Sequence, residues 1–408
     1  VLSVQDARKL LIEAVSPMPP RKVKLPEARG CVLAEDVVAE TSLPGWDNSA
    51  VDGYAVRSSD LAACSENSPI HLRVTATLPA GSAGGVTVEP QSCARIFTGA
   101  PIPPGADAVL MQEDTRPHHE GYIAAVASVS PGENIRRAGE EAPAGAVVLR
   151  SGTTLGAAQL GMAAAVGRME LTAHGRPRVA VLVTGQEVVE PGRPLQAGQV
   201  YDSNSFMLAA LLRDCGCEPV ELGIADDVRE DLLEKMDYGL SEADALVTVG
   251  GASVGEYDLV KDVLAELGCE QRFWKVAMKP GKPFVFGTRG AKLVFGLPGN
   301  PVSAVVTFLV LVRPALMKLR GFGRIDPAPV MAEAAADLVN ARGDRTHFMR
   351  ARLERDGQRL LVRPLSRQGS HMISTLTEAD CLVEVPACQV IAAGSRVPVM
   401  LLEEFAGF

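Results

Sequence analysis

A chain of 408 residues is too long for one ordinary domain, and roughly 150 residues per domain predicts two to four. Its 47% hydrophobic and 22% charged content is that of a folded, soluble protein. A formal charge of −9 with 4% aromatics argues against nucleic acid as a partner, because nucleic acid needs a basic face and stacking platforms. Membrane attachment is not expected either: the longest apolar run, Ala304 to Val312, is far short of the ~20 residues that span a bilayer.

The N-terminal stretch "SVQDARKLLIEAV" carries charges throughout and reads as an amphipathic helix, not a signal peptide. Ser3 and Asp6 have capping-box spacing, with Val4, Ala7, Leu10, Leu11 and Ala14 on one face. The eight cysteines show no repeated C-x-x-C pair, which predicts free thiols in a reducing, cytoplasmic setting. Cys215-Gly-Cys217 is read as helix-end packing, in preference to a metal pair.

Five segments follow from the changes in texture. Residues 1–18 form the first helix, packed with an α/β domain. Residues 19–47, punctuated by proline, and 140–176, rich in alanine and glycine, form a small discontinuous linking domain. Residues 48–139 hold short Val/Thr/Ile runs between Pro-Gly turns and read as a β-rich domain. From 177 to 324, strands such as "RVAVLVTG" alternate with helices such as "NSFMLAALLRDCG", which predicts parallel βαβ units in a central doubly wound sheet. Residues 325–408 read as β again, with Asp356-Gly357 as a hairpin turn. The fold class is therefore multidomain α/β plus β.

In open α/β sheets ligands sit beyond the carboxyl ends of the strands. In "TVGGASVGEYD", Gly250, Gly251 and Gly255 permit close backbone approach, Ser253 offers a hydroxyl, and Asp258 opens a helix whose positive end suits an anion. In "GLPGNPVSA", Pro298, Gly299, Asn300 and Pro301 make a rigid loop with free amides, and Ser303 adds a donor. Neither loop matches G-x-G-x-x-G or G-x-x-x-x-G-K-[ST]. In "VAMKPGKPFVFG", Lys279 and Lys282 flank a turn stiffened by proline. Between Gln271 and Lys292 lie six basic residues and no acidic one, which favours a multiply charged anion. Glu187, Asp202, Asp226, Asp227 and Asp258 each follow a strand or open a helix. Any one is explained as a cap, but together they offer hard oxygen ligands suited to Mg²⁺ beside a phosphate. "DNSAVDGYAVR", with Asp47 and Asp52, and "RIFTGAPIPPGADAV", ending at Thr98-Gly99, carry more polar residues than a turn needs. His118-His119 lies in a polar loop and reads as surface.

On "DNSAVDGYAVR", "TGAPIPPGADAV", "GENIRRAGEE", "VTGQEVVEPG", "YDSNS", "VGGASVGEYD", "MKPGKP", "GLPGNPVSAVVTF" and "RQGSH", the chain resembles the molybdopterin molybdenumtransferases of the bacterial MoeA type, related to the E domain of gephyrin. The resemblance covers nearly the whole chain. It implies an elongated homodimer with its site shared between subunits, and a partner adenylyltransferase that delivers adenylylated molybdopterin. With Mg²⁺ and molybdate, such an enzyme inserts the metal and releases AMP. On this resemblance Lys279, Lys282, Ser253, Ser303, Arg350 and Ser370 match molybdate-binding positions. Asp52, Thr98, Glu187, Asp226 or Asp227, Asp258 and Lys275 match positions tied to activity, or to the nucleotide and its Mg²⁺. Three departures stand out: Gln186 where the family often has Asp, Glu141 where Asp is common, and Ala252 for a frequent Val. Two alternatives remain open at this point: a molybdopterin-binding scaffold without turnover, and a generic phosphate-binding α/β transferase.

Overall fold

The computed structural model describes residues 1–82, 85–250, 259–341 and 343–402. They divide into two compact units, one of Val1–Lys22, Gly30–Ala34 and Thr172–Phe408, the other of Val23–Arg29 and Glu35–Leu171.

The first unit is built on a six-stranded sheet. Its strands in chain order are β1 (Arg178–Thr184), β2 (Glu218–Ala225), β3 (Ala245–Val249), β4 (Glu270–Trp274), β5 (Val285–Arg289) and β6 (Lys292–Leu297), arranged β2-β1-β3-β6-β5-β4. Its helices of eight or more residues, among those described, are α1 (Val4–Ala14), α2 (Asn204–Asp214), α3 (Arg229–Glu242), α4 (Leu259–Glu266) and α5 (Pro301–Leu319). Buried side chains alternate along the central strands. Val179, Val181, Val183, Val247 and Val249 join one core, while Ala180, Leu182 and Leu246 join the other. Side chains in a strand point to opposite faces in turn, so continuous apolar runs are what a sheet covered on both sides requires.

Four strands, β2, β1, β3 and β6, are parallel as expected, but β5 pairs antiparallel with β6, and the edge strand β4 pairs antiparallel with β5. The physical reason is connection length. Arg289 pairs with Lys292 across two residues, with Gly290 at φ +60°, and so short a link forms a hairpin where a parallel crossover needs a dozen residues or more.

The capping of α1 is as expected: Ser3 Oγ accepts from the Asp6 amide at 3.0 Å and donates to its carboxylate at 2.7 Å. Its buried face differs, comprising Val4, Ala7, Leu11 and Val15, while Leu10 and Ala14 are exposed. The true apolar stripe drifts by one residue toward the chain that leaves the helix. Helix α5 is long and apolar enough to cross a membrane, yet 83% of its apolar window is buried inside the fold. It is a core helix, widened to a π-helical stretch at Phe308–Val312 and carrying Pro314 in its next turn. Phe284, Phe286, Phe295 and Phe308 are fully buried against it and the sheet, each contributing about 1.5–3 kcal/mol.

Beyond α5, strands Val330–Ala334, Thr346–Asp356, Arg359–Pro364, Cys381–Val385 and Arg396–Leu401 close into a five-stranded barrel, because Thr346–Asp356 pairs with both Arg359–Pro364 and Cys381–Val385. Asp356 and Arg359 face each other across the expected hairpin. The short strand Met278–Lys279 adds to this barrel in parallel, with Met278 opposite Thr346 and Lys279 opposite His347. The second unit holds a six-stranded sheet in which Gly53–Val56 lies between Ala108–Met111 and Ser92–Ile96. All eight cysteines are free thiols, with Cys215 and Cys217 buried at the end of α2.

Candidate active site

At the carboxyl ends of β1, β3 and β6 the first unit opens into a cleft of about 970 Å³. Gly250, directly after β3, lines it at φ +95° and donates to the Leu297 carbonyl at 3.1 Å. A Cβ at this position would stand 2.4 Å from the Thr184 carbonyl oxygen, so only glycine lets β1 and β3 approach this closely. Pro298, Gly299, Asn300 and Pro301 form the adjoining wall. The amide of Asn204, at the start of α2, donates to the Gly299 carbonyl at 2.8 Å. The cleft mouth thus presents backbone groups and a helix N-terminus, a setting suited to anions.

Three carboxylates border the same space: Glu187, Asp202 and Asp227. They do not have the same task. Both Asp202 oxygens are taken by Ser205, one through its amide at 3.1 Å and the other through its hydroxyl, so Asp202 caps α2. Glu187 and Asp227 are exposed at the cleft. Asp226 is not among the lining residues; its amide donates to Asp231 at 2.9 Å. Gln186 lies on the cleft wall beside Glu187. Among the described residues no three His, Cys, Asp or Glu side chains are grouped to cage a metal. Two exposed carboxylates do match the way Mg²⁺ is held, by one or two carboxylates completed by substrate phosphates and water.

The lysine turn joins this wall through Pro283, which lines the cleft. Val276 donates to the Lys282 carbonyl at 3.0 Å and Lys275 to the Phe284 carbonyl at 2.9 Å, closing the turn at its base. Gly281, at φ +103°, is packed so tightly that a Cβ would fall 2.4 Å from the Thr307 methyl. Lys279 and Lys282 are exposed on it. Neither they nor Lys275, Ser303 and Arg350 line the cleft itself. Ser303 is buried in the first turn of α5, and its neighbour Val302 donates to the Ser370 carbonyl at 3.2 Å. His371 and Ile373, just past Ser370, reach the cleft.

Arg350 is the least expected feature. Its side chain is 0% exposed, its Nη2 makes one long bond to the Gly369 carbonyl at 3.3 Å, and its Nε and Nη1 have no partner among the described residues. Burial holds its affinity for the proton below the usual guanidinium value. A buried cation without an anion costs several kcal/mol, which an incoming oxyanion would recover in part. His347, three residues earlier, is also buried, with Nε2 unpartnered. Burial first, then the charges of Lys279, Arg350 and Arg345, pull its pKa down to about 4, so the ring is neutral at ordinary pH.

In the second unit Thr98 donates to Asp52 Oδ1 twice, from its amide and its hydroxyl, each at 2.8 Å. The amide bond, then the hydroxyl bond, keep the Asp52 carboxyl below the usual carboxylate range. Asp47 is held low in the same manner by the Ala138 amide and Arg137. Gly251, Ser253, Gly255 and Asp258 lie outside the described residues. Sequence reasoning passed over Asn204 and His371 as individual site residues. The polar runs "YDSNS" and "RQGSH" carry a signal for both.

Sequence profiles of three families match the chain end to end: "MoeA N-terminal region (domain I and II)" over residues 2–167, "Probable molybdopterin binding domain" over 180–318 and "MoeA C-terminal region (domain IV)" over 332–402. Molybdopterin molybdenumtransferase 2 of Mycobacterium tuberculosis is 40% identical, covering 97% of this chain and 98% of that protein. Molybdopterin molybdenumtransferase of Haemophilus influenzae is 38% identical, covering 94% of each. Two crystal structures of the molybdopterin biosynthesis MoeA protein of Pyrococcus horikoshii superpose with TM-scores of 0.83 and 0.80. They are 31% and 30% identical and cover 99% and 98% of this chain and 100% of their own.

Proposed function

Because the chain belongs to the molybdopterin molybdenumtransferase family, we propose that it is the transferase of molybdenum cofactor biosynthesis that inserts molybdate into adenylylated molybdopterin and releases AMP. The observation that carries this reading is Arg350, a fully buried guanidinium with two unpartnered nitrogens, beside the Ser370 segment that borders the cleft. An oxyanion of fixed size satisfies such a group; a neutral ligand does not.

In this reading the amides around Gly250 and Pro298–Pro301 receive the phosphates, and Lys279, Lys282, Ser303, Arg350 and Ser370 receive molybdate. Water attacks phosphorus and gives a proton to solvent as the anhydride P–O bond breaks, and the charge growing on the leaving phosphate is offset by Lys275 and the neighbouring lysines; the two dithiolene sulfurs of molybdopterin displace oxygens of molybdate, which leave as water with the thiol protons. Glu187 and Asp227 would hold Mg²⁺, which supplies Lewis-acid polarisation of the anhydride. Asp52 and Thr98 enter through the second subunit of a homodimer, and a partner adenylyltransferase supplies the substrate.

The test is AMP release from adenylylated molybdopterin with molybdate and Mg²⁺, run beside thermal melting with molybdate, tungstate and sulfate. Release of AMP and selective protection by the two larger oxyanions are expected. Binding of molybdopterin without anhydride cleavage would instead identify a scaffold, the reading that neutral Gln186 on the cleft wall favours. Equal protection by sulfate would point to a generic phosphate site.

A further inference from the structure

The side chain of Glu187 folds back over Gly185, the residue directly after β1. From the point where a Cβ on Gly185 would stand, Glu187 Oε2 is 2.8 Å away and Oε1 and Cδ are each 3.0 Å away. Carbon and oxygen that are not bonded do not approach so closely, so the carboxylate fills the space that a side chain at 185 would need. Gly185 is buried at φ +142°, and it lines the cleft together with Glu187 and Asp227.

The backbone fixes where this carboxylate starts from. Val188 donates to the Gly185 carbonyl at 3.1 Å and closes a turn around Gln186 and Glu187. The Glu187 carbonyl accepts from the Val200 amide at 2.8 Å, which ties the far side of the turn to the short strand Val200–Tyr201. Gly185 also donates to the Ala225 carbonyl at 3.4 Å, continuing the pairing of Thr184 with Ala225. Asp227 follows two residues later, so one glycine joins the turn that carries Glu187 to the segment that carries Asp227.

The fold itself makes no use of the Glu187 carboxylate. Asp202 is consumed by its bonds to Ser205, whereas among the described residues the Glu187 carboxylate makes no hydrogen bond or ion pair. An exposed glutamate spreads over many rotamers, and a ligand that needs it must first restrict it. The hollow above Gly185 gives the side chain one place to lie before any ligand arrives, which is what a preorganised cation ligand requires.

We propose that Gly185 is a positioning residue: by carrying no side chain, it seats the Glu187 carboxylate at the end of β1, where it and Asp227 share one divalent cation. This rests on the reading of Glu187 and Asp227 as the Mg²⁺ carboxylates. A Cβ at 185 meets the end of a flexible side chain, so the carboxylate is what gives way.

The experiment uses the full chain with Mn²⁺ alone as the probe, followed by its electron paramagnetic resonance signal, beside thermal melting of the metal-free protein. Gly185→Ala is expected to weaken Mn²⁺ binding at least fivefold. The positive φ strains any side chain there, so the melting temperature falls as well. A Glu187→Gln background separates the two effects: there Gly185→Ala lowers the melting temperature as before but changes Mn²⁺ affinity less than twofold. Glu187→Asp keeps the charge but is one methylene too short to reach back over Gly185, and should also lose fivefold or more. If Gly185→Ala does not fold, Glu187→Asp decides alone. Binding by Gly185→Ala or Glu187→Asp within twofold of the parent overturns the proposal. So does an equal loss from Gly185→Ala in both backgrounds. A parent that does not bind Mn²⁺ removes the metal reading of the cleft and this inference with it. The expected Mn²⁺ pattern without AMP release supports the role of Gly185 and rejects only the reaction proposed above.

Discussion

Asn204 donates through its side-chain amide to the carbonyl of Gly299 at 2.8 Å, joining the start of α2 to the loop that precedes α5. The two residues are 95 positions apart, and Asn204 is buried. Removing the donor leaves a carbonyl unsatisfied at the edge of the core. Asn204→Ala is therefore expected to lose about 1–3 kcal/mol of stability, measured by urea unfolding, and Asn204→Asp at least as much because it offers the Gly299 carbonyl an acceptor. Unchanged unfolding midpoints would remove this bond from the account of how the loop is held.

Gly250 and Gly299 separate a steric requirement from a functional one. Gly250→Ala places a methyl 2.4 Å from the Thr184 carbonyl at φ +95° and should cost upward of about 1–2 kcal/mol. At Gly299 the nearest atom to an added Cβ is 3.6 Å away, an ordinary contact. Gly299→Ala should melt within a degree or two of the parent and lose ligand affinity alone. Calorimetry paired with thermal melting distinguishes the two outcomes.

Arg350 yields a prediction of opposite signs. Arg350→Met fills the same space without a buried charge, so the ligand-free protein should be unchanged or stabilised by up to about 1–4 kcal/mol. The same variant should lose the rise in melting temperature that molybdate gives the parent. A strongly destabilised ligand-free variant would mean that the guanidinium already has its counter-charge.

His347 should make the protein acid-sensitive. Its folded-state pKa is about 4 against an ordinary 6.5, so the unfolded chain takes up a proton first as pH falls. The contribution is complete above pH 6.5 and is lost on the way down to about 4, amounting to no more than about 3 kcal/mol. In His347→Gln the stability–pH curve should flatten across that window. Molybdate placed near Lys279 should also raise the ring's pKa, which an NMR titration of the imidazole would register.

In the second unit, Thr98→Val removes one of two donors to Asp52 and leaves the amide in place. The Asp52 carboxyl should then titrate closer to its ordinary value, seen by carbon-detected NMR. Because its pKa is depressed in the folded parent, Asp52 stays charged above the ordinary carboxylate range, and the acid limb of the activity profile should arise elsewhere. An acid limb that moves with Thr98→Val would contradict that assignment.

Much of the fold was legible in the amino-acid order because local physics sets it. Apolar runs of strand length, joined by amphipathic helices, specify β1, β2, β3 and β6, and the glycine and proline signals mark the two cleft loops at Gly250 and Pro298–Pro301. What the order does not contain is distance. Asp202 and Asp227 read alike along the chain, yet Ser205 occupies one as a cap while the other is left at the cleft. Arg350 looks like any strand arginine until folding buries it beside Gly369, on the strand face opposite the barrel-core residues Met349 and Ala351, and leaves two of its nitrogens without partners. Periodicity and turn chemistry act over a few residues and can be read directly. Burial, hydrogen-bond partnership and the electric field at a side chain depend on segments hundreds of residues apart, and those only the folded chain decides.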